Sequence, residues 1–231
     1  MEAKVGRVLL WGGRSQARII EAQIVASGLA SSIVVFDPTL EQCAYPSTAP
    51  FYSDPRTLRT LLPAVSHFVV CIGGTHGLAR VRISDALRQR GLTPLEVVHP
   101  TAFIDRTCLA REGLQVMPGA IVNVSSRLGT YVILGTNSTV EHETVLGSGV
   151  HIYPGATVAG LTEIHDYATI GLGSVVLPRL VIGEGAVVQP GSVVHDSIPP
   201  YTSVGGNPAV AIDEVARTFD EGALAMIHGS N

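Results

Sequence analysis

Val140-Glu141-His142-Glu143-Thr144-Val145, Leu146-Gly147-Ser148-Gly149-Val150-His151, Ile152-Tyr153-Pro154-Gly155-Ala156-Thr157 and Val158-Ala159-Gly160-Leu161-Thr162-Glu163 are four successive six-residue units, each opening on a branched aliphatic. The register extends in both directions. Ile104, Ala110, Val116, Val122, Leu128 and Leu134 precede it, and Ile164, Ile170, Val176, Ile182, Val188 and Val194 follow, so fifteen of sixteen such positions are Val, Leu or Ile. Four residues after each comes a second site that is usually small: Cys108, Ala120, Ser126, Ser138, Thr144, Ala156, Thr162, Ala168, Ser174, Ala186 and Ser192, with Leu114, Leu180 and Ile198 as exceptions. One large and one small inward residue per six describes a triangular prism in which each hexad forms one face and three hexads one coil. The spacing therefore predicts a left-handed parallel β-helix of about five coils, roughly 25 Å long at ~4.8 Å per coil. Gly129, Gly135, Gly147, Gly171 and Gly183 directly follow the aliphatic, where a tight corner favours a residue without a side chain.

Upstream of the repeat the pattern changes. Val5 to Trp11 is an apolar run that enters Gly12-Gly13-Arg14-Ser15, after which Ala17, Ile19, Ile20, Ile24, Val25 and Leu29 recur at helical spacing. Ser32 to Phe36 and His67 to Ile72 are further β-branched runs, ending at Asp37-Pro38 and Gly73-Gly74; Pro55 to Leu62 and Leu78 to Gln89 read as helices, and Leu95 to Val98 as a fourth strand. Strands alternating with helices give a small Rossmann-like parallel sheet with its ligand crevice at the carboxyl ends of the strands, where Gly12, Gly13, Asp37 and Gly73 fall. The glycine turn lacks the third glycine of the dinucleotide fingerprint, so by itself it is also compatible with an ordinary strand–helix turn. The division expected is an α/β domain over 1–98, the β-helix over 99–198, and a loop with a short amphipathic helix, Ile212 to Met226, over 199–231.

Composition narrows the function. The chain of 231 residues has 46% apolar and only 15% charged residues, which excludes disorder. Its longest apolar runs are about half a dozen residues, against the ~20 needed to span a bilayer. Neither a signal-peptide core nor paired cysteines are present (Cys43, Cys71 and Cys108 are odd in number), so a cytoplasmic protein with packing cysteines is expected. Residues 1–98 hold ten Lys and Arg against seven Asp and Glu, and 99–231 hold five against twelve; an acidic second half without lysine offers no nucleic-acid stripe.

A flat-sided prism has little room for a pocket, which places ligand sites between chains. The register resembles that of the hexapeptide-repeat acyltransferases, which are generally trimeric, and the resemblance implies a homotrimer. Acyl transfer from a thioester to an amine or hydroxyl needs a base for the acceptor proton and donors for the oxyanion. Of eight histidines, His142 stands between two carboxylates, Glu141 and Glu143, either of which could fix its tautomer. Gly160 follows one coil later over the same corner and can offer a bare backbone N–H.

Taken together, the α/β unit, His99-Pro100-Thr101-Ala102, Glu141-His142-Glu143, Ala159-Gly160 and the closing Gly205-Gly206-Asn207-Pro208-Ala209 resemble the NeuD/PglD-type sugar acetyltransferases, from residue 5 to about 212. The resemblance implies His142 as general base, Glu143 as the residue that raises its basicity, and acetyl-CoA along a prism groove at His151, Gly160, Leu172 and Pro190. It implies a nucleotide-sugar site at Gly12, Gly13, Arg14, Ser15, Asp37 and Gly73 and active sites between the subunits of the trimer; charge, apolar run length and histidine spacing lead us to expect no nucleic-acid, membrane or metal partner. The resulting expectation is N-acetylation of a nucleotide-linked amino sugar, a surface-glycan precursor. Ser15, Gln16 and Thr75-His76-Gly77 depart from the family pattern. O-acetylation of a sialic-acid-like sugar and a non-catalytic nucleotide-sugar-binding trimer are the alternatives. A zinc carbonic anhydrase on the same prism needs three converging imidazoles, whereas His142, His151, His165 and His195 are separated by nine, fourteen and thirty residues.

Overall fold

The computed structural model describes residues 4–217 and 219–228. They form two compact units: one runs to Ile72, resumes over Ala79–Val97 and again from Phe219, and the other comprises Gly73–Leu78 together with the chain from Val98.

In the first unit a parallel sheet has the order β3-β2-β1-β4-β5, built from β1 (Val5–Trp11), β2 (Ala30–Phe36), β3 (Phe51–Tyr52), β4 (His67–Val70) and β5 (Thr93–Pro94). The central strand β1 is apolar on both faces, and Val8, Leu9, Leu10 and Trp11 are buried, as a strand covered on both sides requires. Helices α1 (Ser15–Ser27), α2 (Pro55–Leu61) and α3 (Gly77–Gln89) connect the strands. Asp54 caps α2 by accepting from the Thr57 N–H at 2.8 Å, and Gly28 ends α1 in the left-handed conformation. Two details differ from the sequence expectation. The two-residue β3 is too short to carry a periodic signal. The run Leu95 to Val98 divides, because Val97–Val98 pairs in a prism sheet while the last strand of the first sheet is Thr93–Pro94.

The prism follows the hexad register. Strands β6 (Val97–Val98) to β22 (Val193–Val194) are two residues each, and each pairs in parallel with the strand eighteen residues on, as in Ile121↔Thr139 and Ile133↔His151. Three faces result. Face one presents Phe103, Ile121, Thr139, Thr157, Val175 and Val193 outward; face two presents Leu109, Arg127, Val145, Glu163 and Val181; face three presents Gln115, Ile133, His151, Thr169 and Val187. The aliphatics from Val116 to Val194 stack in the interior, each Val, Leu or Ile contributing roughly 1.5–3 kcal/mol by leaving water.

The corners separate two kinds of glycine. The left-handed turn falls three residues after the aliphatic, where Gly149, Gly155, Gly173, Gly185 and Gly191 occur alongside Ser125, Asn137 and Glu143, all at positive φ. Gly129 and its equivalents directly after the aliphatic are glycine for another reason. A Cβ at Gly129 would lie 2.5 Å from the Gly147 carbonyl carbon of the next coil. Close stacking, not backbone conformation, excludes a side chain there.

The eighteen-residue offset ends at the last coil, where Ile182 pairs with Ile198 and Val187 with Ser203. Strands β23 (Thr202–Gly206) and β24 (Ala209–Glu214) then close face three as an antiparallel hairpin. The helix expected over Ile212 to Met226 is corrected accordingly: its first residues are strand, because Ala209–Glu214 completes the ladder, and only α4 (Gly222–His228) is helical. Helix α4 packs on α2 of the first unit, with Ile227 buried. Among the described residues no helix is long and apolar enough to cross a membrane.

Candidate active site

Three edges join the faces. Edge one, between faces one and two, stacks Val124, His142 and Gly160; edge two stacks Thr130, Ser148, Asp166 and Glu184; edge three, between faces three and one, stacks Thr136, Pro154, Leu172 and Pro190. Along edge one the Glu143 N–H donates to the Val124 carbonyl at 2.9 Å, and the Leu161 N–H to the His142 carbonyl at 3.0 Å.

Glu143 occupies the left-handed turn position with φ +57°. A side chain there costs about 1–2 kcal/mol, and the turn sets its carboxylate beside the preceding ring. His142 Nδ1 and Glu143 Oε2 are 3.2 Å apart, with the side chains 48% and 58% exposed. With the carboxylate accepting from Nδ1–H, the neutral ring keeps its lone pair on Nε2. Glu141 is engaged elsewhere: it accepts from Asn123 Nδ2 at 3.0 Å, one coil earlier. Sequence offered both carboxylates as partners of the imidazole, and the turn selects Glu143.

Gly160 lies directly against this ring. A Cβ at Gly160 would stand 2.5 Å from Nε2 and 2.6 Å from Cε1 of His142. Its carbonyl accepts from the Arg179 N–H at 3.2 Å, while its own N–H has no hydrogen-bond partner among the described residues. Small inward hydroxyls hold the backbone on either side: Ser126 donates to the Glu141 carbonyl at 2.9 Å, and Thr144 and Thr162 donate to the Ala159 carbonyl at 3.3 and 2.7 Å. Edge one thus presents a base nitrogen and an unused amide donor side by side, the pair that acyl transfer requires.

The other residues expected at acetyl-CoA do not share that edge. Leu172, 55% exposed, and Pro190 stand on edge three. His151 projects from face three but is only 6% exposed, its ring stacked on Tyr153 with centroids 4.0 Å apart. Gly73 adjoins it, since a Cβ at Gly73 would be 3.5 Å from His151 Cε1. A cleft of about 270 Å³ opens on edge two, lined by Glu163, His165, Asp166 and Glu184, and does not include His142. Among the described residues no three His, Cys, Asp or Glu side chains gather as a metal site. Burial raises the thiols of Cys71 and Cys108, which suits packing rather than nucleophilic roles.

In the first unit Gly12, Gly13 and Asp37 meet as expected, but they bind one another. Asp37, 6% exposed, accepts from the Gly13 N–H at 2.9 Å through Oδ2 and from the Thr39 N–H and hydroxyl at 2.9 and 2.7 Å through Oδ1. The Gly13 carbonyl accepts from the Ala44 N–H at 2.9 Å, and a Cβ at Gly12 would lie 2.8 Å from the Cys71 carbonyl oxygen. Arg14 and Ser15, both exposed at the start of α1, remain available to a ligand. Sequence reading missed the buried Glu21, which accepts from Tyr45 at 2.6 Å, Ser47 at 2.7 Å and the Thr48 N–H at 3.2 Å, fastening the loop that follows Asp37. Burial by itself would raise the Glu21 carboxyl; these hydrogen bonds outweigh it and hold it below the usual value.

No protein-family model matches the chain. Solved structures do. PerB from Caulobacter crescentus, determined with CoA and GDP-perosamine, is 27% identical with a TM-score of 0.80, covering 90% of this chain and 98% of that one. Another structure of the Caulobacter perosamine N-acetyltransferase, also with CoA and GDP-perosamine, carries asparagine in place of one histidine. The acetyltransferase domain of PglB from Neisseria gonorrhoeae, in complex with acetyl coenzyme A, is 27% identical with a TM-score of 0.81, covering 89% and 98%. WeeI from Acinetobacter baumannii shares the fold at 23% identity and a TM-score of 0.81, covering 90% and 100%. Over about nine-tenths of its length the chain is thus similar in fold and sequence to these sugar acetyltransferases, the resemblance read in its sequence.

Proposed function

We propose that this chain transfers the acetyl group of acetyl-CoA to the amine of a nucleotide-linked amino sugar, a surface-glycan precursor, in sites formed between the copies of a homotrimer. The observation that carries this reading is the His142 ring, oriented by Glu143 and set against the amide of Gly160. The amine nitrogen attacks the thioester carbonyl; Nε2 of His142 takes the proton released, and the Gly160 N–H donates a hydrogen bond to the carbonyl oxygen as negative charge develops on it. Collapse of the tetrahedral adduct breaks the carbon–sulfur bond, and the imidazolium returns its proton to the departing thiolate. Glu143 stabilises the cation that exists between these two transfers. No covalent enzyme intermediate is required. Acetyl-CoA is a cosubstrate, consistent with the acetyl coenzyme A and CoA held by the similar structures.

The character of the faces supports this assembly. Edges one and three flank the same face, whose outward residues Phe103, Ile121, Thr139, Thr157, Val175 and Val193 are apolar or threonine, with Phe103 53% and Ile121 38% exposed. A three-fold arrangement that turns this face inward sets edge one of one copy against edge three of the next. His142 and Gly160 then share a groove with the neighbour's Leu172 and Pro190. For the nucleotide, Arg14 and Ser15 are the exposed contacts, and Asp37 holds the Gly12-Gly13 turn in shape.

The test is thiol release from acetyl-CoA against a panel of nucleotide-linked amino sugars and free sialic acids, for wild type and His142→Ala. Turnover with an amino sugar, falling at least about 10²-fold in the variant, is expected. Activity that survives in His142→Ala overturns the mechanism, and acceptance of the sialic acids alone overturns the choice of nitrogen over oxygen.

A further inference from the structure

Residues 73–78 cross face three of the prism and are held there by close approach. At Gly77 a Cβ would lie 2.5 Å from the Gly149 carbonyl oxygen and 2.8 Å from Tyr167 Cα, and at Gly73 it would touch His151. Between these two anchors Gly74 turns with φ +69°, and Thr75 and His76 are exposed. Around the empty Cβ position of Gly74 stand His76 Cδ2 at 3.5 Å, His76 Nε2 at 3.9 Å and the Tyr153 hydroxyl at 3.8 Å. Tyr153 is backed by the buried His151, ring planes 22° apart, and its own N–H donates to the Ile170 carbonyl at 2.9 Å. The phenol is therefore fixed before any ligand arrives. It opens the turn of edge three, adjoining Pro154.

We propose that His76 and Tyr153 form a subsite for the ring hydroxyls of the acceptor sugar, a reading that rests on the transferase activity and trimer proposed above. Neither residue has a part in the proton transfers assigned to His142. Both carry a group that can donate and accept a hydrogen bond, and a sugar hydroxyl needs a partner of that kind. A phosphate would instead call for an arginine fork, which the cluster lacks; the N-terminus of α3 opens next to it at Gly77 and is where a phosphate of the same acceptor would sit. In the trimer the pair comes from the copy whose edge three faces the His142 of its neighbour, so the subsite lies across the groove from the base. The two residues then discriminate acceptors by their hydroxyl pattern, while acetyl-CoA chemistry is left to edge one.

His76→Ala and Tyr153→Phe test this, the second preserving the stack on His151. The measurements are KM for the amino-sugar acceptor, KM for acetyl-CoA, and kcat, on the natural acceptor and on deoxy analogues lacking one ring hydroxyl. Each variant should raise the acceptor KM about tenfold, the loss of one hydrogen bond worth ~1.4 kcal/mol, with acetyl-CoA KM and kcat within about twofold. On the deoxy analogue that lacks the matching hydroxyl, the variant and wild type should have equal KM. An unchanged acceptor KM in both variants beside an active wild type overturns the subsite and leaves the transferase reading standing. A rise in acetyl-CoA KM instead assigns the pair to the cosubstrate and equally overturns it. A wild type inactive on every amino sugar overturns the transferase reading, and the subsite with it.

Discussion

Under the proposed mechanism Gly160 carries two demands at once: its amide has to be free to meet an oxyanion, and its missing side chain is the space in which the His142 ring lies. Gly160→Ala puts a methyl 2.5 Å from Nε2, a distance relieved by swinging the exposed imidazole away from the amide rather than by moving backbone. The expected outcome is a fall in kcat of about 10²-fold, the scale of a displaced base, with the melting temperature of the variant within a few degrees of wild type; circular dichroism and the thiol assay check the two halves. A large loss of stability would mean that the prism, not the ring, gives way. Glu21 offers a residue-scale test in the first unit. Its carboxyl is held below the ordinary value, so the ionised form favours the fold: its contribution is present above the unfolded pKa and lost as pH falls through the lower, folded one. Glu21→Gln should therefore cost roughly 1–3 kcal/mol at neutral pH, and chemical denaturation should show the difference closing below about pH 4.

At the scale of the coil, glycines in similar sequence surroundings differ in what they tolerate. A Cβ on Gly129 would meet the backbone of the next coil at 2.5 Å, whereas Gly173 has open space around it and a φ of +64°. Gly129→Ala should cost about 1–3 kcal/mol by overpacking, and Gly173→Ala about 1 kcal/mol, the ordinary penalty of a side chain in the left-handed turn; urea midpoints of the two variants decide the order. The hexad register was legible because each strand is two residues long and each coil repeats the same inward pair, from Val116 to Val194. His142 and Gly160 were legible for the same reason, since eighteen residues is one coil. What the register could not contain lay outside the repeat. The tail was read as helix although Ala209–Glu214 pairs as a strand, because Val210 and Ile212 alternate outward on a hairpin whose partner, Thr202–Gly206, has no hexad signature. Asp37 and Gly13 were placed together correctly at strand ends, but only the geometry shows them satisfying each other. The cluster of His76, Tyr153 and His151 joins residues some seventy-five positions apart through glycine contacts that no periodicity announces.

For the whole molecule, the division of the candidate site among edges makes a prediction that one chain cannot satisfy. His142 stands on edge one and Leu172 on edge three, and a prism has no groove of its own that spans both. If each groove is built from edge one of one copy and edge three of the next, His142→Ala and Leu172→Glu each disable every groove in a uniform trimer, the first by removing the proposed base and the second by placing a charge in the groove proposed for the cosubstrate. Coexpressed in equal amounts and assembled at random, they leave about a quarter of the grooves with an intact His142 facing an intact Leu172. Purified mixed trimers should then recover roughly a quarter of wild-type kcat with an unaltered acetyl-CoA KM, while each variant alone stays inactive. Sites contained within single chains would always hold one defect, and the mixture would be as inactive as its parents. Sedimentation of the same sample as a trimer, compared with a mixture that recovers nothing, would separate a wrong edge pairing from a wrong oligomeric state.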